Sequence, residues 1–303
     1  MTTLTTPQRT VEHVARSMVA PRNRAVRERI FEAVLLVATL LSLLVLLVLL
    51  TDVLRDGVGR LDLAFLTDYS SRTPEDTGIR TGLTGTLSLM VLTALFSFPV
   101  GIGAAIYLEV FAPKNRFTRF MQVNIANLAG VPSVVYGLLA AAVFVYLLDL
   151  GRTLISGTMA LSLLILPVII VAGREAIRAV PPSIMNGALA VGATPWQATS
   201  KQVLPVAMPG ILTGTILALS RAVGEAAPIL VAGAVFSRRA DNEPWNLLEP
   251  FGALPIQVFD FVKRPQEGFQ IEAASAGIIV MLAVLLVMNA TAITLRNRYS
   301  RSW

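Results

Sequence analysis

Residues 33–50 read AVLLVATLLSLLVLLVLL, and this stretch decides which solvent the chain is built for. Of these eighteen positions only Thr39 and Ser42 are not apolar. At 1.5 Å of rise per residue, a helix of that length nearly crosses the roughly 30 Å hydrocarbon layer of a bilayer. On its N-terminal side, Met1 to Arg29 is polar and holds Arg9, Arg16, Arg22, Arg24, Arg27 and Arg29. A basic start before an apolar run also describes a secretory signal. This run exceeds the usual 7–15 residues of that element, however, and no small-x-small cleavage site closes it. It is expected to stay in the membrane as the first span.

Toward the C-terminus the pattern repeats. Apolar segments cover about 81–111, from after Phe120 to about 148, 157–173, 210–236 and 273–295, which predicts six spans in all. The chain is 54% apolar and 15% charged over 303 residues, with a mean hydropathy of +0.68. A soluble domain is close to half apolar and about a quarter charged. The expected fold class is therefore an all-α membrane protein, a single helical bundle. It would consist of a polar N-terminal segment 1–29, a membrane domain 30–295 and a tail 296–303, with polar loops 51–80 and 237–272 on one face. There is no Cys, and the one His is His13. A Cys-based metal site, a disulfide framework and a Ser-His-Asp triad within the membrane are thereby excluded.

The pI of about 10.2 reflects a membrane surface rather than nucleic acid. One face collects the N-terminus, 112–120, 174–209 and the C-terminus, with 15 Lys and Arg; the other face has nine, and 13 of the acids. Positive residues favour the cytoplasmic side. The expectation is a multi-pass membrane protein with both termini in the cytoplasm.

The segment Arg174 to Pro209, REAIRAVPPSIMNGALAVGATPWQATSKQVLPVAMP, is too polar to span. Pro181 and Pro182 end the preceding helix, and Ser183 is placed to cap a short one. Ile184, Met185, Ala188, Leu189 and Val191 give it an apolar face, and Gly192 suits the residue just past its C-terminus. Thr194 followed by Pro195 is a second helix start, carrying Trp196 and Val203, with Pro205 as its stop. Two short helices presenting apolar knobs outside the bilayer form a surface suited to a partner.

The positions Ala188, Gly192, Leu204 and Pro205 resemble the cytoplasmic loop of ABC-importer permeases, whose short helices sit in a cleft of a separate ATPase. Around them, NIANLAGVPSVVYGLL (124–139), GATPWQA (192–198), LPVAMPGILTG (204–214) and LALSRAVGEAAPIL (217–230) resemble the phosphate-importer permeases. The stretches GEAAPIL (224–230) and FVKRPQEGF (261–269) are similar to the A-type subunit rather than its C-type partner. One departure is that the family's loop opens Glu-Ala-Ala where this chain reads Asn186-Gly187-Ala188.

The resemblance implies a six-helix permease bundle with two short cytoplasmic coupling helices. It implies ATPase contact through Ala188, Gly192, Ala193, Thr194, Trp196, Leu204 and Pro205. Implied partners are a C-type permease as heterodimer, two copies of an ATP-binding subunit, an extracytoplasmic phosphate-binding protein, phosphate and lipid, but no nucleic acid. No GxxxxGK[ST] loop exists, and the only lysines are Lys114, Lys201 and Lys263. ATP and Mg would therefore belong to the partner, and this chain is expected to be a transport subunit with no catalytic residue, cofactor or metal of its own.

Three acids and one Arg fall within the predicted spans. Glu32 and Glu109 lie near ends, where side chains reach headgroups. Arg221 and Glu225 fall near the middle of the fifth span, where an Arg costs about 2.5–3.5 kcal/mol on insertion scales. At i,i+4 they share a helix face, flanked by the small residues Ser220, Ala222, Gly224, Ala226 and Ala227. Either Arg221 lines a pathway and presents its fork to an anion such as phosphate, with Glu225 holding it, or the two form an ion pair that locks the bundle. Arg174, at the mouth of the fourth span, is a second candidate for phosphate contact or else a snorkelling anchor. Permeases for molybdate or sulfate stay open, as does a secondary transporter, although no internal repeat is found. A membrane-embedded phosphatidyl transferase would need an acidic cluster at one face, and none is present.

Overall fold

A computed structural model describes residues 22–234 and 246–299, and every regular element among them is helical. Expectations for 1–21, for Arg238 and Arg239, and for 300–303 lie outside the described residues. Helix α1, Arg22–Gly57, carries the leucine-rich run. Its part up to Asp52 forms a compact unit of its own, and the apolar side chains from Ile30 to Leu50 are all exposed. The helix continues past the expected end at Leu50, with no glycine or proline before Gly57 to stop it; the Thr51 hydroxyl donates to the carbonyls of Leu47 and Val48 within it.

The second unit begins at Val53. After a 3₁₀ turn, Val58–Arg60, come α2, Leu63–Thr67, and α3, Arg80–Ile106. Asp62 caps α2 by accepting from Phe65 N at 2.7 Å. A π segment, Tyr107–Phe111, extends α3. Helix α4, Arg116–Leu128, is capped by Asn115, and α5, Ser133–Ala140, continues through a π segment, Ala141–Leu147. Helix α6 is Leu154–Arg178, α7 is Pro182–Ala190, and α8 is Pro195–Ala198. A π segment, Thr199–Val203, joins α8 to α9, Leu204–Val223. Helix α10, Ala227–Ala232, α11, Leu254–Lys263, and α12, Ala274–Tyr299, complete the series, α12 being entered through a π segment at Gly268–Ala273.

Helices α3 and α6 run side by side in the same direction. A side chain at Gly173 would come within 3.0 Å of Ala105, and one at Gly101 within 2.6 Å of Ile169. Close approach of this kind is what small residues allow between membrane helices. Around the seam, Leu89, Leu161, Ile165, Ala218, Ala222, Ile229 and Phe251 form the main core. A second core, with Ile106, Ile177, Val203, Ala207 and Ile211, lies toward the 179–194 loop. At the opposite end, Phe65, Ile79, Leu254, Phe261 and Phe269 make a third. That end is sealed by bonds from main-chain N–H groups: Leu254 N donates to the Thr86 hydroxyl at 2.8 Å and Leu154 N to Glu249 O at 3.0 Å.

Four sequence expectations need correction. The third span is not one straight helix: α4 and the 133–147 helix meet at 105°. At about 20 and 22 Å, neither half crosses a bilayer alone. Among the described residues five helices are long and apolar enough to span, and six are reached when the bent pair counts as one. The bend falls at Gly130 and Pro132, and the Tyr136 hydroxyl donates to the carbonyl of Leu128 at 2.7 Å, satisfying the end of α4. The fifth span is broken at Gly224–Ala226 rather than continuous to Phe236. Ser183 does not cap α7: Pro182 takes the first helical turn and the cap position falls on Pro181.

The fourth correction is mechanical. Pro205 does not stop the second loop helix, because residues 195–223 form one helical run. Within the π segment, Leu204 N reaches back to Thr199 O, an i→i−5 bond. That wider turn places Pro205 in the first turn of α9, where its missing N–H has no bond to lose.

Candidate functional site

The loop between α6 and α9 is built from caps. Gly192 has φ +89, a conformation that L side chains resist. Its N–H donates to Leu189 O at 3.0 Å and the next N–H, from Ala193, to Ala188 O at 3.1 Å. The two bonds together form the Schellman closure of α7. Thr194 and Gln197 then form a reciprocal capping box, at 3.3 and 2.9 Å, with Pro195 opening α8. Ala188, Gly192, Ala193, Thr194 and Trp196 are thus gathered around one sharp reversal. Leu204 packs partly into the neighbouring core and Pro205 is exposed beyond the π segment.

The outer surface of the reversal is apolar. Val191 is 86% exposed and Trp196 59%. A groove of about 620 Å³ runs between α7 and the 195–203 helix, lined by Ile184, Ala188, Val191, Ala193, Gln197 and Lys201 among others. The inner side is anchored: Ile184 and Met185 pack on the Ile177–Val203 core, and the Trp196 ring lies 6.3 Å from that of Phe111.

The charged groups form two separate clusters. Arg221 Nε and Glu225 Oε1 are 3.1 Å apart, so the i,i+4 pair is made. Its setting differs from the expected helix centre. Arg221 is in the last turn of α9, Gly224 is its C-cap, and Glu225 lies in the break before α10. A cation in the last turn is favoured by the helix dipole. The Arg221 side chain is 48% exposed and that of Glu225 only 19%. Nearby, Ser220 shares a hydrogen bond with Asn289 of α12, a residue the sequence reading passed over.

The second cluster joins α3 to α6. Arg174, only 8% exposed, reaches Glu109 Oε2 through Nε and Nη2, both at 3.2 Å. Arg178 reaches the same carboxylate through Nε and Nη2, both at 3.0 Å, and Glu175 through Nη1 at 3.2 Å. Glu109, read from sequence as a headgroup-facing acid, is instead held between two guanidinium groups. No signal along the chain pairs it with residues 65 and 69 positions away; only the side-by-side seating of α3 and α6 does. Among the described residues no group of three or more His, Cys, Asp or Glu could hold a metal ion.

Residues 97–302, which contain both clusters and the loop, match the family of binding-protein-dependent transport system inner membrane components. The chain belongs to that family. The probable ABC transporter permease protein YqgI of Bacillus subtilis (strain 168) is 28% identical to this permease, over 89% of this chain and 95% of its own. Phosphate transport system permease protein PstA 1 of Mycobacterium tuberculosis (strain CDC 1551 / Oshkosh) is 31% identical, over 71% of this chain and 69% of its own. A solved bacterial alginate ABC transporter, in complex with an alginate pentasaccharide-bound periplasmic protein, contains a chain that superposes with a TM-score of 0.60 at 17% identity. The match covers 92% of this permease and 98% of that chain. The likeness carries the fold to this permease and says nothing of cargo. The chain is an ABC importer permease subunit.

Proposed function

We propose that this subunit imports inorganic phosphate and that Arg221, with Glu225, lies on the route. The observation that carries the reading is the half-exposed Arg221 guanidinium at a break in a membrane helix. Lipid facing that surface would be costly, whereas a second permease or a water-filled path would not. The pair suits passage better than tight capture. Glu225 already neutralises much of the charge, yet the guanidinium keeps donors free to meet a tetrahedral oxyanion two at a time. Capture would then fall to an extracytoplasmic phosphate-binding protein. The phosphate assignment is supported by PstA-type relatives near 30% identity.

In this reading a C-type permease completes the path and two copies of a cytoplasmic ATPase, holding ATP and Mg, dock on the loop around Gly192. Trp196 and Val191 are the knobs that enter the ATPase, and Leu204 and Pro205 tie the loop to α9. Both termini and the Gly192 loop face the cytoplasm, in the inner membrane. Arg174 stands near the loop end of the route, already held by Glu109, so its contribution is to position rather than to bind phosphate.

The test is uptake of labelled phosphate by vesicles containing the two permeases, the ATPase and the binding protein, with ATP on the ATPase side. Phosphate uptake exceeding that of sulfate and molybdate is expected. Preference for either of those anions would reassign the cargo.

A further inference from the structure

The five residues Tyr107–Phe111 make two connections at once. Phe111 meets Trp196, the exposed ring of the loop, at 6.3 Å. Two residues earlier, Glu109 holds Arg174 and Arg178 on α6. The segment is a π turn, whose Ala112 N–H closes back on Tyr107 O at 2.7 Å. Such turns interrupt α-helical register and are frequent at functional sites. Burial adds weight. Glu109 is 19% exposed and lines an open cleft of about 450 Å³ with Arg178, whereas Arg174 is 8% exposed, so the Arg174 contact is the one shielded from water. Arg178, 52% exposed, is the looser of the two cations.

We infer that Glu109 is a positioning residue that relays movement of the Gly192 loop to α6: Trp196 pushes Phe111, and the shared π turn shifts the carboxylate that holds Arg174 and Arg178. The inference rests on the docking reading above, because the push must come from the ATPase. It does not depend on the cargo. Displacing Trp196 by even a fraction of a turn moves Phe111, and Glu109 cannot follow without dragging or releasing α6. A chain of contacts gains meaning only from measured coupling, and the contacts here lie on one element that can be cut at either end.

The experiment compares Glu109→Gln, Phe111→Ala and the double variant in the full four-component vesicles. Membrane levels and ATPase co-purification should match the parent protein. ATP hydrolysed per anion imported should rise about five-fold or more in each single variant. The double variant should be no worse than the poorer single, because both cut one relay. Glu109→Gln removes the counter-charge of Arg174, so its membrane level is measured first. Phe111→Ala changes no charge at a residue that is 41% exposed, so it tests the relay on its own.

A second measurement is independent of cargo. In this Cys-free chain, spin labels on Cys placed at Ala112 and Ala179 report whether the two helix ends move together when ATP binds the assembled complex. A narrow distance distribution that persists with ATP in the parent and broadens in Glu109→Gln is expected. Unchanged hydrolysis per anion, strictly additive losses, or equal distributions in parent and variant would each overturn the relay. Failure of the parent complex to take up phosphate would bear on the cargo alone.

Discussion

At Gly192 a single backbone angle carries a testable consequence. Nothing stands within 4 Å of where a side chain would begin, so a substitution meets no clash and acts through φ +89 alone. Gly192→Val should leave insertion intact, cost the turn about 1–2 kcal/mol, and weaken ATPase co-purification from membranes. Trp196→Asp should do the same by placing a charge on the apolar surface. Normal co-purification and normal uptake in both would remove the loop from the docking interface. Arg221 and Glu225 admit a sharper experiment. A purely structural pair tolerates removal of both charges better than of one, so Arg221→Met with Glu225→Leu would then restore assembly and uptake together. We expect assembly at normal levels and poor uptake. Arg221→Lys should also transport poorly, because it keeps the charge and loses the fork. The need for glycine at 192 and the i,i+4 pairing of 221 with 225 were legible in the sequence, since both are local. The Glu109 clasp was not, because its partners come from a helix far along the chain.

Among the elements, the long apolar runs announced themselves and their interruptions did not. The α4–α5 bend has a visible cause in Gly130 and Pro132, yet an apolar run with one Pro and one Gly also describes a kinked straight span. What fixes the choice is tertiary: the Tyr136 hydroxyl satisfies Leu128 O, and a side chain at Gly137 would come within 2.7 Å of Pro228. Tyr136→Phe should therefore destabilise the bend by about 1 kcal/mol, read as a lower thermal midpoint in detergent with unchanged membrane levels. An unchanged midpoint would mean that Leu128 O finds another donor. The reading of Pro205 as a helix stop failed for a related reason. Proline breaks a regular α-helix, but a π turn just before it removes the clash, and no residue pattern in TSKQV marks that turn.

For the whole molecule, the basic bias of its loops sets an orientation that labelling can check. Glu75, exposed in the 68–79 loop, and Val191, at the tip of the Gly192 loop, lie at opposite ends of the bundle. In intact spheroplasts an impermeant thiol reagent should modify Glu75→Cys and spare Val191→Cys; the reverse labelling would invert the topology. The 1% exposure of Thr77 makes that position useless as a probe although it lies in the same loop.

The π turn at 199–203 is also where the helix carries one residue to spare. It closes i→i−5, so it takes up one residue more than an α turn over about the same rotation. A single-residue deletion between Ala198 and Leu204 that closed as plain α would therefore leave Arg221 near its present heading. It would also press the Pro205 ring against the carbonyl one turn back. The spare residue is a spacer that admits a proline into an unbroken rod, and the penalty of losing it falls on the rod rather than on the direction of the charge.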